Sequence, residues 1–169
     1  TAVQKVLSAN MQPVRAPIKT GYDVAVLHFR LQDVSVYQKE IVDTNIYRQR
    51  RAKLMLEAYN KGWANSTLNY PMQVVRFGND FTLLALADEV VVDYSLDLKK
   101  IFKDENLYVA GYCNEVQCYI PNKRILKEGG YEADDSMIYY AFPGPFSDDV
   151  EDIVKATAMK LMKNAGAVK

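Results

Sequence analysis

One histidine, two cysteines and no surplus of either charge are what this 169-residue chain offers least of, and each scarcity narrows its chemistry. A lone His28 cannot build a histidine-rich zinc site and reads as a packing or surface residue. Cys113 and Cys118 lie five apart in one predicted strand and turn, on opposite faces if extended, so no bridge between them is expected. Their C-x4-C spacing lacks the paired hooks and four ligands of a structural zinc site, and two buried free thiols are the expectation. Twenty-one basic residues balance 21 acidic ones, so no global field draws the chain to nucleic acid, which is not an expected partner. The densest basic run, Arg48 to Arg51 with Lys53, falls in a helical pattern beside Glu57 and reads as a solvated helix face. No apolar run reaches the roughly 18 to 20 residues of a membrane helix, so no transmembrane segment is expected. Also missing are a G-x-S-x-G elbow, a glycine-rich phosphate loop, an H-E-x-x-H motif, internal repeats and low-complexity stretches. No signal peptide stands at Thr1, and a start at Thr reads as a processed or cut protein, so the missing signal says nothing of compartment.

What is present is a chain 49% apolar, enough for one globular domain over residues 1–169. Residues 1–20, with Pro13 and Pro17, read as an extended arm ended by Gly21. Tyr22 to Leu31 alternates, with Ala25, Leu27, Phe29 and Leu31 on one face, which predicts a strand. A long helix is predicted from about Glu40 to Gly62, with Ala52, Met55, Leu56, Tyr59 and Trp63 as its packing stripe. A loop from Asn65 to Pro71 leads to two strands, Gln73 to Phe77 and Phe81 to Ala87, joined by Gly78-Asn79-Asp80. The second is almost wholly apolar, as suits a central strand, and Asp88 and Glu89 stand at its carboxyl end. A helix carrying Val91, Tyr94, Leu98, Ile101 and Phe102 then precedes a strand from Leu107 to Ala110. This β-α-β unit predicts parallel strands whose ends near Glu89 and Tyr112 share one sheet edge, where α/β folds form ligand sites. Asn122 to Lys127 reads as a short helix broken by Gly129-Gly130, Ser136 to Ala141 as a strand, and Phe142 to Phe146 as a rigid turn. The last helix has Ser147 as N-cap, acids in its first turns, and Val150, Ile153, Val154, Thr157 and Leu161 on its apolar face. The fold class is therefore α/β, a mixed sheet with a β-α-β unit and flanking helices.

Read from the residues alone, Glu89 caps the following helix, because a carboxylate near a helix N-terminus gains roughly 0.3 to 1 kcal/mol. Tyr119 and Tyr131 are two of twelve tyrosines, a type that mostly packs through its ring. Glu132, Asp134 and Asp135 form an acidic cluster that reads as a solvated loop rather than a hard-cation site. A thiol hydrolase built on Cys118, or a pairing of either cysteine with His28, is formally open but has no supporting local motif. Asn65-Ser66-Thr67 matches the glycosylation sequon, a pattern common by chance.

Two segments change that balance: RFGNDFTLLALADEVVVDY at Arg76 to Tyr94, and GYCNEVQCYIPNKRILKEGGYE at Gly111 to Glu132, followed by SMIYYAFPGPF and an acidic helix start. Over Met72 to about Leu161 the chain resembles the neutral/alkaline, non-lysosomal ceramidases, bacterial ceramidase-like branch, which are zinc amidohydrolases cleaving the amide of N-acylsphingosine. The resemblance implies that Glu89 and Tyr119 ligate zinc together with two histidines from further upstream. It implies that Tyr131, in a segment ending Tyr131-Glu132, holds the scissile carbonyl or its oxyanion. It further implies an N-acyl lipid substrate, the upstream half of the same protein as partner, a larger catalytic domain of which this chain is the carboxyl-terminal part, and a secreted, periplasmic or membrane-associated location. The upstream histidines and a serine-bearing segment of the family are missing from this chain, and Asp88 stands where family members carry a small residue. The alternative is a noncatalytic binding or structural module of the same ancestry.

Overall fold

A computed structural model describes residues 1–63 and 66–168. The chain is α/β, built on a four-stranded mixed sheet with flanking helices. Strand β1 (Ile18–His28) pairs antiparallel with β2 (Thr67–Phe77) over eleven residues, from Ile18 opposite Phe77 to His28 opposite Thr67. A turn at Gly78 to Asp80 returns the chain into β3 (Phe81–Leu86), also antiparallel. Beyond a two-residue strand β4 (Glu89–Val90), helix α4 (Val92–Ile101) crosses over to β5 (Leu107–Ala110), which lies parallel to β3. The sheet order β1-β2-β3-β5 places the apolar β3 inside the sheet, as its composition predicts.

One face of this sheet is buried. Leu27, Tyr70, Met72, Val74, Leu84 and Leu86 are fully enclosed there, each such side chain contributing roughly 1.5 to 3 kcal/mol through lost water contact. The C-terminal helix α7 (Val150–Asn164) lies across β1 and β2 with Val150, Val154, Ala158, Leu161 and Met162 buried, while Tyr94, Leu98 and Phe102 of the α4 segment close the β5 side. Two buried phenols are satisfied by carbonyls: Tyr70 donates to Ala87 O at 2.9 Å and Tyr94 to Pro121 O at 2.9 Å.

Several expectations need correction. The arm holds a short helix, α1 (Ala2–Leu7), closed by a Thr1–Gln4 capping box, and β1 starts at Ile18 and runs through Gly21 rather than after it. Leu31 leaves the apolar face and is exposed, because the strand ends at His28. The single long helix is two, α2 (Val34–Glu40) and α3 (Ile46–Asn60), because Asn45 accepts from the Tyr47 and Arg48 amides and starts a new helix. Arg51 is consequently not solvated: it is enclosed between these helices, donating Nε to Glu40 Oε2 at 3.0 Å and Nη2 to Oε1. Ala52 and Met55 of the stripe are buried, while Tyr59 and Trp63 lie beyond the α2 contact and are exposed. Strand β2 begins at Thr67 and includes Pro71, tolerated because the β2–β3 pairing extends only to Met72, which frees one side of β2 there. Residue Asn65, the sequon asparagine, lies outside the described residues.

After the short strand β6 (Tyr119–Ile120) come α5 (Lys123–Glu128), where a short helix is predicted and where Asn122 proves to be the N-cap, a π-helical turn (Tyr131–Asp135) and α6 (Ser136–Tyr140). The predicted strand at Ser136 to Ala141 is thus helical. Ser136, Met137 and Ile138 are buried in succession, a pattern no half-covered strand shows, and Ala141 ends the helix in the left-handed region at φ 58°. The acids Glu132, Asp134 and Asp135 sit on the π-helical turn instead of a loop. Ser147 is not the α7 cap. Its amide donates to His28 O at 2.8 Å, and the cap position falls to Asp149, whose carboxylate faces His28 Nδ1 at 2.9 Å.

Candidate functional site

Five chain segments meet at the carboxyl end of β3. The turn from β3 into β4 passes through Asp88, held at φ 59°, and sets Glu89 opposite Tyr119 across the parallel β4–β6 bridge. The Glu89 amide donates to Cys118 O at 3.0 Å, and the Val91 amide to Ile120 O at 3.2 Å. Glu89 therefore belongs to a strand pair, not to a helix cap: the α4 cap is Val91, which makes no side-chain capping bond. Gly111 follows β5 directly, and a Cβ there would stand 3.2 Å from Val90 Cγ2, so glycine lets β4 approach this close without displacing Val90. Tyr112 follows at φ 58°, its amide donating to Asp88 O at 2.8 Å. A bulky residue in the left-handed region is sparsely populated, and Asp88, Tyr112 and Asn114 all adopt it within one rim.

Three of the predicted site residues are brought together here. Side-chain hydrogen bonding to Glu89 is the main reason that the Tyr119 phenol is pushed up to about 12. The Tyr119 and Tyr131 rings meet edge to face, centroids 5.6 Å apart at 70°. Tyr131 reaches that position because Gly130, at φ 93°, turns the chain where a side chain would be strained. Glu89, Tyr119 and Glu132 line a shallow cavity of about 320 Å³ with Val91, Arg124 and Ile125. On its other side Tyr131 borders a second cleft of about 260 Å³ with Asn45, Arg48 and Tyr139.

Tyr112 was not singled out by the sequence. The Glu89 carboxylate raises the pKa of its phenol too, with the Tyr140 phenol close enough to add to the effect. The available signal was position alone: Tyr112 follows the β5 strand end by two residues, on the edge where Glu89 was expected.

Asp88 faces the other way. Its Oδ1 accepts the Gln117 amide at 2.5 Å and so organises the 113–118 loop, while Oδ2 is buried without a partner. Burial pushes this carboxyl up to about 6, against the pull of the Gln117 amide. Cys118 lies alongside, buried, and burial raises its thiol far above the ordinary range. With His28 committed to Asp149 at 2.9 Å, the thiol-hydrolase reading loses both its thiolate and its base. Cys113 is half-buried rather than buried, and both thiols are free.

A zinc ion, implied by the resemblance, takes three or more protein donors in a catalytic site. Glu89 and Tyr119 supply two oxygen donors on paired residues of one bridge, close enough that the carboxylate raises the phenol's pKa. They fit as two ligands of one ion, and the remaining donors must come from elsewhere. Among the described residues no group of three or more His, Cys, Asp or Glu is placed to hold a metal, and no helix is long and apolar enough to cross a membrane. Compared with models of known families, with curated proteins and with solved structures, the chain matches none.

Proposed function

We propose that this chain is the carboxyl-terminal portion of a zinc-dependent amidohydrolase resembling the neutral ceramidases, cleaving the amide of ceramide or a related N-acyl lipid, and inactive alone. The observation that carries the reading is the convergence of Glu89, Tyr119 and Tyr131, chosen from distant segments by their motifs, at the ligand-binding edge of the sheet. When bound, zinc supplies Lewis-acid polarisation of the amide carbonyl and lowers the pKa of a water towards neutrality. Glu89 and Tyr119 contribute two of its ligands, and the upstream half of the protein contributes histidines. Tyr112, on the same carboxylate, fixes the direction in which Glu89 points. Tyr131 donates its phenolic proton as a hydrogen bond to the developing oxyanion. Water adds across the carbonyl carbon and nitrogen, releasing a fatty acid and an amine.

The test is zinc content by elemental mass spectrometry and N-acyl amide cleavage, measured on this chain alone and on the protein co-expressed with its upstream coding region. Stoichiometric zinc and activity only in the longer protein, both lost in Glu89→Gln, are the expected results. Full activity in Glu89→Gln, or no zinc in either form, would sink the assignment and leave the noncatalytic binding module as the reading.

A further inference from the structure

We propose that the cleft at the amino end of β3 binds a phosphate group, held by Arg15, Lys19 and Arg76 at the end of the sheet opposite the phenol cluster. The site uses neither the phenols nor a zinc ion. Its cleft, of about 320 Å³, lies where the segment leading into β1 packs on the Gly78 to Asp80 turn. Glycine suits position 78, because the chain turns there at φ 52° and a Cβ would stand 3.1 Å from Arg15 O. The Gly78 amide donates to Pro17 O at 2.9 Å and the Arg15 amide to Asp80 Oδ2 at 3.0 Å, so residues 15–17 are fixed against the turn.

Arg76 forms the floor, with a side chain only 8% exposed. Glu105 takes one edge of its guanidinium, accepting Nε at 3.2 Å and Nη2 at 2.9 Å. Thr82 Oγ1 and the Val168 amide donate to the same carboxylate at 3.0 and 3.2 Å, so Glu105 is saturated and Arg76 is held in one orientation. Its Nη1 is left over, with no hydrogen-bond partner among the described residues. This nitrogen and Lys19 Nζ meet at Gly166, where an added Cβ would lie 3.8 Å from the first and 3.1 Å from the second. Lys19 also stands directly opposite Arg76 in the β1–β2 register. Like charges opposed across an antiparallel pair repel, and among the described residues Lys19 has no carboxylate partner. Arg15 adds a third cation, 71% exposed, its Nη1 4.0 Å from Asp80 Oδ1.

The unused donors select the ligand. A carboxylate is recognised best by the two-pronged edge of a guanidinium, and Glu105 already occupies that edge of Arg76. What remains is Nη1 of Arg76 on the floor, Nζ of Lys19 from the neighbouring strand, and the Arg15 guanidinium from the segment before β1. Single cationic donors arriving from separate directions suit the oxygens of a tetrahedral phosphate group. Of the two acids nearby, Glu105 is spent on Arg76 and Asp80 on the Arg15 amide, so an anion here neutralises cations that the protein leaves opposed. With 21 basic against 21 acidic residues the chain has no wider field to hold a polyanion, and the site takes one phosphate group.

Amide NMR of this chain, titrated with inorganic phosphate near neutral pH at constant ionic strength, tests the site. The expected result is a saturable shift confined to residues 15–19, 76–80 and 166, with half-saturation on the order of 1 mM. Lys19 is exposed, so Lys19→Glu leaves the core intact, and it should abolish the shifts. The same variant places an acid opposite Arg76 and should raise the melting temperature without phosphate, an effect no mere loss of folding produces. Arg15→Gln should weaken binding roughly threefold, as suits an exposed donor, and Lys53→Gln on α3 should leave it unchanged. Tighter binding of glycerol 3-phosphate identifies the ligand as a phosphate ester, and equal binding identifies it as free phosphate; either upholds the site. Acetate producing the same shifts overturns the phosphate assignment. Parental affinity in Lys19→Glu, or shifts scattered over the surface cations as from an adventitious ion only, overturns the site itself.

Discussion

Glu89 and Tyr119 stand directly opposite each other across the parallel β4–β6 bridge, and the carboxylate of one holds the phenol of the other protonated well above its ordinary range. A second phenol, Tyr112, leans on the same carboxylate from the end of β5. One acid thus gathers two tyrosines whose backbones arrive by different routes, and the edge-to-face ring of Tyr131 extends the cluster to a third.

The first consequence is spectroscopic. In the chain alone, Glu89→Gln should bring the Tyr119 phenol down from about 12 towards 10, because an amide withdraws the negative charge that opposes ionisation. Tyrosine-selective carbon-13 NMR through an alkaline titration reads this directly. The folded state holds this proton more tightly than the unfolded chain, so the associated stability is complete below pH 10, is lost as pH rises towards 12, and disappears in the variant.

Asp88 behaves with the opposite consequence for the neutral range. Its carboxyl is raised from 3.8 to about 6 by burial, so the folded state favours the protonated form, and stability falls as pH rises between roughly 4 and 6. Asp88→Asn keeps the acceptor for the Gln117 amide, tolerates the φ of 59° and removes the buried charge. Urea denaturation should show it more stable than the parent by on the order of 2 kcal/mol at pH 8 and indistinguishable at pH 3. A loss at pH 8 would mean that the charge itself holds the 113–118 loop.

The helical hairpin of α2 and α3 depends on one enclosed ion pair, Glu40 with Arg51, whose side chains are 7% and 3% exposed. Glu40→Leu leaves the enclosed Arg51 without a partner and should lower stability by roughly 3 to 5 kcal/mol, whereas Arg51→Met should cost less, because Arg48 Nη1 still reaches Glu40 Oε1 at 3.3 Å. The double variant Glu40→Leu/Arg51→Met should recover most of that loss. Chemical denaturation of the three proteins completes the cycle, and additive losses would contradict it.

Helix α7 packs closely on the sheet at Gly21, where a Cβ would meet Leu161 Cδ2 and Val74 Cγ1, each at 3.2 Å. Gly21→Ala should therefore lower stability by roughly 1 to 3 kcal/mol through overpacking. Gly62→Ala, in open space at φ 69°, gives the control in which only backbone strain acts. A thermal melt in which Gly21→Ala is neutral would show that α7 shifts to absorb the methyl.

Much of this was legible along the chain because the deciding physics is local. The almost wholly apolar run Phe81 to Ala87 named an inner strand. The helix stripe of Tyr94, Leu98 and Phe102 between two apolar strands named the crossover. Gly129-Gly130 marked the end of α5, since glycine stops a helix. Elsewhere the local signal was outvoted. Ser136 to Tyr140 has strand-forming residues yet coils, since the π-helical turn before it and the burial of Ser136, Met137 and Ile138 set its path. Ser147 has the right side chain for a cap but spends its amide on β1, 119 residues back. Arg51 looks solvated in sequence and is buried, because only the folded hairpin brings Glu40 to it.

The amino-acid sequence by itself determined which segments are apolar on one side, that a turn falls at Gly78 to Asp80, and that an apolar strand ends just before Asp88 and Glu89, since each depends on neighbours a few residues away. Only the tertiary structure decided that Tyr112 joins Tyr119 beside one carboxylate, that Asp88 turns inward to Gln117, and that Arg51 is enclosed against Glu40. These relations join residues far apart in sequence, and their energies arise from burial and hydrogen bonding that exist only once the sheet has closed.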